Sequence, residues 1–209
     1  MNPSIKDLNE SGDYRLVEKI CYKEMLPFII PYLKPRNLLM YGFYLFNLVV
    51  LIIFVGLLIA NGLEYYMGWL RLAFYIFVTT IVSIVLLIPI HEMLHGIVFK
   101  IMGASRLKFG ANLHEMIFYV TCDRFVLDKK QFYFLALMPF IVITSLLFPV
   151  FVTGSFLTKL LSVYIIFFHS TCCVGDFAMI SFFLINSPQK QAYTYDTVNE
   201  STSYFYIEK

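Results

Sequence analysis

The chain has 209 residues, of which 59% are hydrophobic and only 14% charged, and its mean hydropathy is +0.74. A soluble domain carries about 25% charged and about 45–50% apolar residues, so this composition excludes a disordered chain, a collagen-like chain and an ordinary cytosolic domain, and points to a polytopic membrane protein. The net charge of +2 is too small and too scattered for nucleic-acid binding.

Residues 1–37 read as a cytoplasmic or interfacial tail: polar, mixed in charge, and without the early apolar core of a cleavable signal. Pro27, Pro31 and Pro35 break any long helix there, so an irregular approach to the membrane is expected. Within residues 38–187 lie four segments of the length, about 20 mostly apolar residues, that a membrane helix needs. They are Leu38 to Gly62, which contains no charge, Trp69 to about Met102, Phe132 to Val152, and Phe156 to Ile185. The sizeable polar piece between spans is the loop from Ala104 to Lys130. In it Leu107, Phe109, Ala111 and Leu113 alternate with Lys108 and Asn112, and Met116 to Cys122 is β-branched and aromatic. With His114-Glu115 as a turn, this predicts a two-strand ribbon. Residues 188–209 read as a second tail. The expected fold is an all-α integral membrane protein of about four transmembrane helices, with a small cytoplasmic β-ribbon between helices two and three. Cys21, Cys122, Cys172 and Cys173 form no C-x-x-C pair, and the adjacent two in span four read as small packing residues.

Lys and Arg counts set orientation. The N-terminal tail holds Lys6, Arg15, Lys19, Lys23, Lys34 and Arg36, and the loop between spans two and three holds Lys100, Arg106, Lys108, Arg124, Lys129 and Lys130. Near the other two connections the cations are Arg71 and Lys159. Both termini and the ribbon therefore belong on the cytoplasmic side.

Span two contains His91-Glu92-Met93-Leu94-His95, an H-E-x-x-H motif. Residues four apart on a helix share a face, so both imidazoles can reach one metal ion. Glu92 can then reach a water at the metal's open position. Zinc lowers the pKa of such a water to about 7, and the carboxylate takes its proton as it attacks a carbonyl. Three ionisable residues within five positions of a membrane span are costly without a compensating partner, and a metal supplies one. Pro89 frees a backbone carbonyl and should disturb the helix just before the motif.

A zinc site needs a third protein ligand, and span four offers His169 and Asp176. Depth chooses between them. His91 lies about 33 Å along span two from Trp69, and Asp176 about 30 Å along span four from Phe156, at about 1.5 Å per residue. His169 lies only about 20 Å along. Asp176 thus matches the depth of the histidines, and the small residues Ser170, Thr171, Cys172, Cys173 and Gly175 before it permit close helix approach. His169, seven residues earlier, suits a hydrogen-bonding role behind the ligands, to the aspartate or to a water column.

On these residues the sequence resembles a bacterial family of membrane zincin peptidases. The resemblance rests on His91-Glu92-Met93-Leu94-His95, on Ala136-Leu137-Met138-Pro139-Phe140 and on Gly175-Asp176, and covers the chain from about Ile88 onward. It is similar more widely to the site-2-type intramembrane metalloproteases, which share an H-E-x-x-H helix and an aspartate ligand on a later span. The resemblance implies zinc on His91, His95 and Asp176, with Glu92 as base. Phe177 follows Asp176 where site-2 proteases place glycine, so the zinc chemistry carries over better than regulated cleavage within a substrate's span. The expectation is a zinc-dependent peptidase of a bacterial cell membrane. It would act on membrane-embedded or membrane-adjacent polypeptide at the cytoplasmic face, with a ribbon edge holding substrate as an added strand. The rival readings are a structural or sensory zinc site and hydrolysis of another amide or ester.

Overall fold

The computed structural model describes residues 2–64, 66–112 and 117–209. His114 and Glu115, read above as a turn, lie outside the described residues.

Among the described residues, three helices are long and apolar enough to cross a membrane: α3 (Leu38–Glu64), a continuous run from Trp69 to Ile101, and α6 (Lys129–Thr153). The run consists of α4 (Trp69–Val82), a π-helical segment Ser83–Leu87 and α5 (Ile88–Ile101). A fourth span is made if α7 (Phe156–Cys172) and α8 (Val174–Asn186), broken at Cys173, are taken as one. The remaining elements are α1 (Ile5–Glu10), β1 (Tyr14–Cys21), α2 (Met25–Ile29), β2 (Leu107–Asn112), β3 (Ile117–Cys122), β4 (Leu127–Asp128), β5 (Ala192–Thr197) and β6 (Thr202–Glu208).

The chain divides into two compact units. The helical unit comprises Tyr41–His91 and Pro139–Val174. Its core is Val50, Val163 and Ile166, ringed by Phe46, Phe54, Leu147 and Phe151. Two polar pairs lie within it: Ser170 donates to Asn47 Oδ1 at 2.6 Å, and the Thr80 and Tyr164 hydroxyls lie 2.6 Å apart. Leu45, Ile52, Leu70, Phe74, Phe77 and Leu146 are exposed on its surface.

The sheet-bearing unit comprises Met1–Met40, Glu92–Met138 and Gly175–Lys209. Its four-stranded antiparallel sheet has the order β1-β6-β5-β4. β5 and β6 form a hairpin, with Thr197 opposite Thr202, and β1 pairs along β6 from Tyr14↔Glu208 to Cys21↔Thr202. Both faces are covered. On one, Ile20, Ala192, Phe205 and Ile207 pack with Phe182 and Phe183 of α8. On the other, Tyr195 and Tyr206 pack on Leu8 of α1, whose first turn is closed by a Ser4–Asp7 capping box.

This corrects the expected all-α fold with one ribbon: helices dominate, but the described residues form two sheets. The predicted ribbon is present as the two-stranded pair β2–β3, with Leu107 opposite Cys122. The four-stranded sheet was not expected, because three of its strands come from the two segments read as tails and the fourth, β4, is a two-residue piece of the loop between spans two and three. Around Pro27 and Pro31 the chain forms only short helical turns, but Tyr14–Cys21 before them is regular strand.

The ribbon packs on α5 through Val98, Phe99, Ala104 and Cys122. The approach is close at Gly96, where a Cβ would stand 3.1 Å from the Phe109 ring. Asp196 on β5 ties the ribbon to the larger sheet: it accepts hydrogen bonds from Thr121 of β3 and, at 2.6 Å, from Ser203 of β6. Burial pushes its carboxyl above the usual range, with neighbouring Asp123 adding to the shift.

Candidate metal centre

The H-E-x-x-H residues lie on α5, directly after the π-helical segment. Pro89 cannot donate to the preceding turn, and the i→i+5 pattern of Ser83–Leu87 is the form the resulting disturbance takes. His91 and His95, four residues apart on α5, are both nearly buried at 8% exposure. Glu92, between them in sequence, is half-buried.

In the sheet-bearing unit, His95 Nδ1 lies 3.0 Å from the Leu135 carbonyl of α6. A carbonyl only accepts, so Nδ1 carries the proton and Nε2 presents its lone pair. That nitrogen faces Asp176 Oδ1 at 3.5 Å. Asp176 stands in the first turn of α8. The separation is long for a charge-assisted hydrogen bond. It fits two ligands sharing one ion, since bonds of about 2.0–2.1 Å at tetrahedral angles set ligand atoms about 3.3 Å apart. The Leu135 contact is of the kind that orients an imidazole able to bind metal. The donor set, imidazole plus carboxylate, is one that zinc accepts.

In the helical unit, His91 Nδ1 lies 3.1 Å from His169 Nε2. Cys173 Sγ lies 3.6 Å from His169 Nε2 and 3.9 Å from His91 Nδ1. These three residues are a group able to hold a metal ion. His169 is therefore found against the first motif histidine. Cys173, read from sequence as a packing residue, is brought to both imidazoles. The signal was the four-residue spacing from His169 to Cys173 at the end of a helix.

A membrane-type helical chain with an H-E-x-x-H helix and a histidine–aspartate pair of ligand character defines the class: a metal-dependent hydrolase candidate. The family follows. A family model described as "Putative zincin peptidase" matches residues 84–192, more than half of the chain, and the chain belongs to that family. No curated protein matches it, and no solved structure does.

Proposed function

We propose that the protein is a zinc metallopeptidase of the cell membrane. It would cleave peptide bonds in membrane-embedded or membrane-adjacent polypeptides near the cytoplasmic face, with both termini on that side. The observation that carries this reading is the 3.5 Å approach of Asp176 Oδ1 to the lone-pair nitrogen of His95, one helical turn from His91 and adjoining Glu92 in the motif. His91, His95 and Asp176 would hold zinc. Bound there, zinc supplies Lewis acidity that polarises the scissile carbonyl and acidifies the attacking water.

The chain's own groups do the rest. The Leu135 carbonyl fixes His95 in one tautomer. Glu92 takes a proton from the attacking water and returns it to the leaving amine, so one carboxylate serves as base and then as acid. The zinc set contains only three protein ligands, which leaves a position open for chemistry, whereas structural zinc sites are closed by four. The ribbon β2–β3 offers an edge on which an extended substrate can add as a strand.

Glu92→Gln tests the reading, because it keeps the side chain's shape and removes the base. Zinc content should stay at the wild-type level while cleavage of a membrane peptide library falls by about 10²–10⁴-fold. Cleavage undiminished in Glu92→Gln, or wild-type protein with zinc but no turnover on any peptide, refutes it.

A further inference from the structure

We propose that His91, His169 and Cys173 form a second metal site, built for a thiophilic monovalent ion, Cu(I). The inference goes beyond the peptidase reading: it uses neither His95 nor Asp176, and shares His91 with the zinc set.

The geometry is that of a preformed trigonal site. His91 Nδ1, His169 Nε2 and Cys173 Sγ form a triangle with edges of 3.1, 3.6 and 3.9 Å. The point equidistant from all three lies about 2.1 Å from each, as these edges require. Metal–nitrogen bonds of about 2.0–2.1 Å and metal–sulfur bonds of about 2.3 Å are met by an ion in that plane or slightly above it. A hydrogen bond between the imidazoles accounts for the shortest edge alone.

The helix break makes the triangle. α7 ends at Cys172, and the Cys173 N–H turns back to bond the carbonyls of His169 and Ser170. That tight last turn folds Sγ over the imidazole one turn earlier. Exposures of 8%, 1% and 0% for His91, His169 and Cys173 leave the triangle sealed from bulk water.

Charge selects the ion. One thiolate and two neutral imidazoles carry a single negative charge, so a monovalent cation gives a neutral complex. A net charge left in this apolar helical unit would be costly. Two nitrogens and a thiolate in threefold arrangement suit soft copper. Binding releases the thiol proton to solvent. His91 would use Nδ1 here and keep its proton on Nε2, so a neutral His91 serves this ion or zinc, not both at once.

The test uses whole protein, purified in detergent and stripped of metal. Cu(I) is titrated anaerobically against a chromophoric Cu(I) chelator. In parallel, Co²⁺ reports a bound thiolate through its near-ultraviolet sulfur-to-metal charge-transfer band. Wild type, Cys172→Ser and Asp176→Ala should each hold one Cu(I) per chain and show the band. Cys173→Ser and His169→Gln, with circular dichroism unchanged, should lose the band and bind Cu(I) more weakly by over about 100-fold, beyond the loss caused by an outer hydrogen-bond partner. Retention of affinity and band in Cys173→Ser overturns the assignment. So does their loss in Cys172→Ser or Asp176→Ala. Failure of the peptidase reading shows instead as zinc retained in Asp176→Ala or activity retained in Glu92→Gln, and neither touches the thiolate band.

Discussion

Replacing Phe182 by alanine should loosen α8 from the sheet and shift the carboxylate at the helix's other end. Phe182 is 1% exposed. Its ring centroid stands 5.1–5.3 Å from those of Phe28, Tyr32, Phe183 and Phe205, which come from α2 and its following turn, from α8 itself and from β6. Truncation removes a buried aromatic and leaves a cavity among rings that cannot close over it. Such changes cost about 3–5 kcal/mol. For a chain of this size each kcal/mol moves the melting temperature by about 2–4 °C, so a fall of about 6–20 °C is expected in detergent, followed by tyrosine fluorescence from β5 and β6. Asp176 begins the same helix six residues earlier in sequence, and its approach to His95 depends on how α8 is seated. Zinc retained through gel filtration should therefore fall too, although no ligand is changed. Phe182→Leu, which keeps most of the volume, should lose less of both. A melting temperature for Phe182→Ala within about 2 °C of wild type would refute the idea that this aromatic cluster seats α8.

Metal analysis of gently purified protein should find about one zinc per chain, most of it lost in His91→Ala, His95→Ala and Asp176→Ala; full zinc in Asp176→Ala would remove it from the ligand set. Burial raises the Asp196 carboxyl, so the folded chain holds that proton more tightly than the unfolded one. Its contribution is complete below the ordinary carboxylate value of about 4 and fades as pH rises through the raised folded value. Wild-type melting temperature should thus fall more steeply from about pH 4 to pH 7 than that of Asp196→Asn; parallel profiles would count against it. Reporter fusions at Asn2, Asn112 and Tyr206 should read cytoplasmic and those at Leu63 and Gly154 external, and an external Asn112 would invert the orientation.

The long helices were legible because lipid demands uninterrupted apolar runs, and Leu38, Trp69 and Phe156 start helices where composition changes. The motif was legible because three ionisable groups stand out against such a background. The four-stranded sheet was harder to read. Its faces are covered by α8 on one side and α1 on the other, so Tyr204 to Ile207 is buried or half-buried throughout and shows no polar alternation. β1 also pairs with the far end of the chain, where local periodicity carries no information. Tyr, Thr, Phe and Ile in Ala192–Thr197 and Thr202–Glu208 were the available sign. The approach of Cys173 to the two imidazoles was not legible because an apolar run looks continuous in sequence. The break that turns its sulfur back is a backbone event without Pro or a helix-ending Gly at that position.

The β1–β6 ladder joins Tyr14 to Glu208, and this imposes an order of events on biosynthesis. Chains emerge at about 5–20 residues per second, so the first strand waits about 10–40 s for the last one. During that interval its edge is an open template for any passing strand, while the intervening helices are being made. The sheet is completed only after them. Truncating the end of the chain would therefore expose its beginning, giving quality-control proteases a report on the whole chain from one strand pair.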